Sequence, residues 1–103
     1  MKWQDAELPP GIELARVCGV YEVSDPRIPS RKYRVRVLER MDGSFAAFPN
    51  IAVVDGGEPG WTSGLGRSEV EALQDAIRWL SRDLGRRTSW EDADFEWSDP
   101  RDF

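Results

Sequence analysis

The chain has 103 residues, a net charge of −5, 40% hydrophobic and 32% charged residues, which suits one small domain with one modest core and leaves no room for a second. The acid excess, with a pI near 4.7, argues against nucleic acid as the main partner, because phosphate recognition runs on lysine and arginine. A single cysteine excludes an internal disulfide, the lack of histidine removes the commonest general base and most zinc sites, and no run approaches the ~20 apolar residues of a membrane span.

The opening MKWQDAELPPG is too polar for a secretory signal, so a cytoplasmic location is expected. Its breakers Leu8-Pro9-Pro10-Gly11 set residues 1–11 apart as a loosely ordered leader before a single α+β domain over residues 12–88. From Ile12 to Val23 the run is rich in β-formers, with Val17, Gly19, Tyr21 and Val23 on one parity; it reads as a strand with a bulge near Gly19. Two prolines make residues 24–31 a loop.

Residues 33–38 alternate strictly, Tyr33, Val35 and Val37 facing one way and Arg34 and Arg36 the other. Asp42-Gly43 is a hairpin turn, and Phe45 and Ala47 continue the alternation on the returning strand. Pro49 ends that strand, and residues 51–54 form a third before Asp55-Gly56-Gly57 stops it. The glycine-rich passage 56–66 reads as a flexible excursion anchored only by Trp61.

Ser68 with Glu71 is a capping box that opens a helix, and Val70, Leu73, Ile77, Leu80 and Leu84 recur at helical spacing until Gly85 closes it. The expected architecture is a three-stranded antiparallel sheet, with room for an extra edge strand, packed by one long helix. Replacing Leu73 or Ile77 by alanine is then expected to cost about 2 to 5 kcal/mol. Residues 89–103, SWEDADFEWSDPRDF, form an acidic-aromatic tail whose net charge equals that of the whole chain.

Little in this inventory supports catalysis. Cys18 lies in an apolar strand and reads as a small core residue, and the glycines before the helix match no phosphate-binding pattern. The tail acids lack the spacing of a calcium loop, so neither a metal nor any other cofactor is expected, and the chain is not expected to be an enzyme. The tail can fold back on the core, stay solvated, or dock on a basic protein. In the docking case its anchors are Trp90, Phe95 and Trp97 and its charges Glu91, Asp92, Asp94 and Glu96. Arg34 and Arg36 are candidates for RNA contact, although a solvated sheet face explains them as well.

The segment YRVRVLERMDGSFAAFPNI, followed by SGLGRSEVEALQDAIRWLSRDL, resembles the HicB family of bacterial antitoxin domains over residues 33–84. The likeness rests on Asp42, Gly43, Phe45, Ala47, Pro49, Asn50 and Ile51, and then on Ser63, Gly64, Glu71, Ala72, Leu73 and Ala76. It implies a partial ribonuclease-H-like β-β-β-α fold without catalytic acids, a homodimer, and a role in covering the active site of a small basic ribonuclease toxin. Residues 86–103 are too short and too acidic for the DNA-binding unit that many members carry, so operator binding is not expected from them. The leading expectation is therefore a non-enzymatic protein-binding module for a basic partner. The alternatives are a small RNA-contacting sheet-plus-helix module and an acidic nucleic-acid mimic of mobile-element origin.

Overall fold

The computed structural model describes residues 1–87 and 89–103; Thr88, the expected last residue of the domain before the tail, lies outside them. Among the described residues seven strands and one α-helix follow one another as β1 (Ala15–Ser24), β2 (Lys32–Arg40), β3 (Phe45–Pro49), β4 (Ile51–Asp55), β5 (Glu58–Gly60), β6 (Gly64–Gly66), α1 (Glu69–Leu84) and β7 (Phe95–Trp97). The class is α+β with one long helix packed on a sheet, as expected; the strands form two antiparallel sheets, β1-β2-β3-β6 and β5-β4-β7, where a single sheet of three with room for an extra edge strand was expected.

The alternation in β2 decides the layering. Tyr33, Val35 and Val37 are buried, and residues directly opposite across an antiparallel pair share their face. The inner face therefore carries a row of small residues, Gly19, Val37, Ala47 and Gly64, beside the row Tyr21, Val35 and Pro49. The shift of register between Val17 and Gly19 places the bulge where the glycine suggested it, with Cys18 packed on the edge of the core. Gly43 adopts φ 87°, as the hairpin turn requires.

Helix α1 lies in the trough of small residues. A Cβ on Gly66 would stand 2.6 Å from the Ala72 nitrogen and from Glu71 Cβ, and one on Gly64 would be closer still to the Ala72 carbonyl and Ala76 nitrogen. Only glycine permits that approach. The glycine-rich passage is thus no free excursion: β6 forms the edge of the sheet, and Leu65 N donates to Asp75 Oδ2 on the helix at 3.0 Å.

Close approach also rotates the helix relative to the expected stripe. Ala72, Ala76, Leu80 and Leu84 are buried, Leu73 and Ile77 are half-buried, and Val70 is 68% exposed. The cap is built as expected at Ser68, whose Oγ accepts from Glu71 N at 3.1 Å, but Glu71 Oε2 accepts from Arg67 N at 2.8 Å rather than from the capping residue. At the other end Gly85 takes φ 58°. There Arg27 Nη1 donates to the Gly85 carbonyl at 3.0 Å and adds a second bond to the Ser81 carbonyl, which also accepts from Gly85 N, so the loop between β1 and β2 caps the helix end.

The acidic segment enters the fold through β7, which pairs with β4 so that Phe95 stands opposite Val53 and Trp97 opposite Ile51. Asn50 joins the two sheets at their corner: its N–H donates to the Arg34 carbonyl, its Oδ1 accepts from Arg34 N at 2.8 Å, and its carbonyl accepts from Ser98 N. Among the described residues no helix is long and apolar enough to cross a membrane.

Candidate functional site

Where the outer face of the larger sheet meets the smaller one, an open groove of about 480 Å³ is walled by Phe48, Trp61, Trp97 and Phe103. Trp61 and Trp97 stay 47% and 44% exposed, in contrast to the aromatic residues of the core. Glu96, Asp99 and Asp102 stand along the same groove, and so does Arg36, which shares its cross-strand row with Phe48.

The polar groups at this groove are unequally satisfied. The Arg36 guanidinium lies 5.2 Å from the centre of the Phe103 ring, and its Nη1 donates to the Asp102 carbonyl. Its Nε, together with Thr62 Oγ1 and Ser98 Oγ, is buried without a hydrogen-bond partner among the described residues. Unpaired buried polar atoms are uncommon, and three of them line this one groove. Asp99 accepts from Arg101 Nε at 3.3 Å and from Arg101 Nη2 at 2.9 Å, and that two-point contact holds its carboxyl below the usual carboxylate range.

The residues expected at a partner surface are divided by the fold. Phe95, proposed as an anchor, is 8% exposed and belongs to the core, because pairing with β4 turns its ring inward. Trp90 also packs against the core; its ring lies 5.5 Å from that of Phe95, its indole N–H donates to the Arg87 carbonyl, and the Arg87 guanidinium covers it at 4.2 Å. Asp94 is occupied locally by the Glu91 N–H and by Arg87. Glu91 and Asp92 are exposed and line no part of the groove, which leaves Glu96 and Trp97 as the two of the seven that reach it.

The RNA candidates share the outer sheet face as expected, yet only Arg34 remains exposed, since Asp102 and Phe103 engage Arg36. Trp61, Thr62, Ser98 and Phe103 were not legible as site residues. Trp61 alone carried a signal, as a large aromatic stranded between glycines. Among the described residues no three carboxylate or thiol side chains stand close enough to share a metal ion.

Comparison with known protein families, with characterised proteins and with solved structures returns no match for this chain.

Proposed function

We propose that this chain is a non-enzymatic binding module for a basic protein. Its most concrete form is a HicB-like antitoxin that covers the active site of a small basic ribonuclease. The observation that carries the reading is the conjunction of Glu96, Asp99 and Asp102 with the exposed rings of Trp61 and Trp97 along one open groove. Large aromatic side chains, tryptophan foremost, dominate the energetic centres of interfaces, and the carboxylates beside them set the sign of charge a partner must bring. The acidic balance supports the same reading, because opposite charge on the partner raises the association rate and sets register.

The experiment is affinity capture from the native host, followed by binding measurements with the purified partner at several salt concentrations. Removal of residues 89–103 is a poor variant for the purpose, since it also takes Phe95 out of the core. Charge reversal at Glu96 and Asp99 leaves the core alone. The reading requires a basic partner whose association slows with added salt and in the reversed variant. Capture of acidic or neutral proteins only, or salt-independent association, refutes it.

A further inference from the structure

We infer that the groove is the receptor for one arginine side chain of that basic partner, an assignment that rests on the reading above. Three features point to a guanidinium in particular. The exposed rings of Trp61 and Trp97 offer faces on which a planar cation stacks. Asp99 already accepts a guanidinium through two N–H groups, and the present occupant, Arg101, is 89% exposed and so is readily displaced. Thr62 Oγ1 and Ser98 Oγ, buried without a partner among the described residues, are hydroxyl oxygens that can accept, and a guanidinium brings five donors.

A lysine ammonium matches this arrangement less well, being a compact point charge that neither stacks as a plane nor fills a two-point fork. Charge favours entry of a cation despite Arg36. Three carboxylates line the groove with it, and its own guanidinium is covered by Phe103 and bonded to Asp102.

The test uses a defined probe, the blocked tripeptide Gly-Arg-Gly, against its lysine and citrulline counterparts, titrated into the ¹⁵N-labelled protein while the tryptophan indole N–H signals are followed. The arginine peptide is expected to move the Trp61 and Trp97 signals together, with citrulline, which keeps the shape and loses the charge, weaker by about tenfold. Trp61→Ala, which alters no charge, and Glu96→Gln are each expected to weaken the arginine peptide several-fold. Equal binding of arginine and citrulline peptides, or shifts confined to Trp3, Trp79 and Trp90, overturns the assignment. Equal binding of arginine and lysine together with indifference to Trp61→Ala overturns it too, since that is bulk charge attraction. The titration judges the groove whether or not a partner is captured. A captured basic partner that binds the Trp61→Ala and Glu96→Gln variants as tightly as the parent sinks this assignment and leaves the broader reading standing.

Discussion

Gly64 faces Ala76 across the sheet–helix boundary so closely that a single added methyl group would collide with the Ala76 main chain. The contact is main chain against main chain, so no side-chain rotation relieves it. Gly64→Ala is therefore expected to lift α1 from the sheet and to cost about 2 to 4 kcal/mol, the upper part of the range for overpacking. Chemical denaturation measures the loss. Gly19→Ala is the control: its nearest contact would be the Tyr21 ring edge at 3.8 Å, an ordinary packing distance, and a change within about 0.5 kcal/mol is expected.

The rotated helix reassigns the apolar positions. Leu80→Ala is expected to cost about 2 to 5 kcal/mol, because Leu80 is wholly buried, whereas Val70→Ala should lie within about 0.5 kcal/mol. Leu73 and Ile77, half-buried at the flank, fall between them. A Val70 effect as large as that of Leu80 would contradict this placement.

Phe95→Ala is expected to destabilise by about 3 to 5 kcal/mol, the usual range for a buried phenylalanine. Glu96, its exposed neighbour, should tolerate glutamine at little cost. Thermal unfolding of the two variants separates a strand built into the core from an appended tail, for which both changes would be near neutral.

The Arg27 guanidinium, donating to both oxygens of buried Asp25, holds that carboxyl below its usual range. A carboxylate depressed in the folded state contributes stability that is present above its unfolded value near 4 and fades as pH falls through the lower folded value. Wild type should thus exceed Asp25→Asn in stability at neutral pH, and the gap should close on acidification below about pH 4. A gap that is constant with pH would show that the pair is not the cause.

Burial pushes the Tyr33 phenol up to about 12. The sign is opposite in sense: the neutral form is favoured by the fold, so its contribution is intact below the unfolded value near 10 and is lost as pH rises through the folded one. Tyr21 is also raised, by the hydrogen bond its hydroxyl donates to Glu69; phenolate absorbance should nonetheless show a last step, accompanied by unfolding, that Tyr33→Phe removes and Tyr21→Phe leaves in place.

Three elements were legible in the sequence because their causes are local. Strict alternation places β2 and its buried face, Asp42-Gly43 demands the turn that joins β2 to β3, and Ser68 with the helical spacing up to Gly85 marks α1 to the residue. The α+β class follows from those three. What faces what is another matter. Strands of three residues such as β6 and β7 contain no measurable period, and a glycine gives no sign of whether it frees a loop or admits a helix until the helix is placed against it. Phe95 and Trp97 are two residues apart in one acidic run and so share a face of β7, yet Phe95, opposite Val53, is buried in the core while Trp97, opposite Ile51, stays exposed at the groove, a difference of place that no local pattern encodes. The groove itself joins residues 36, 48–49, 61–62, 96–99 and 102–103, brought together by the corner at Asn50, and a site assembled from such distant positions exists only once the sheets have met.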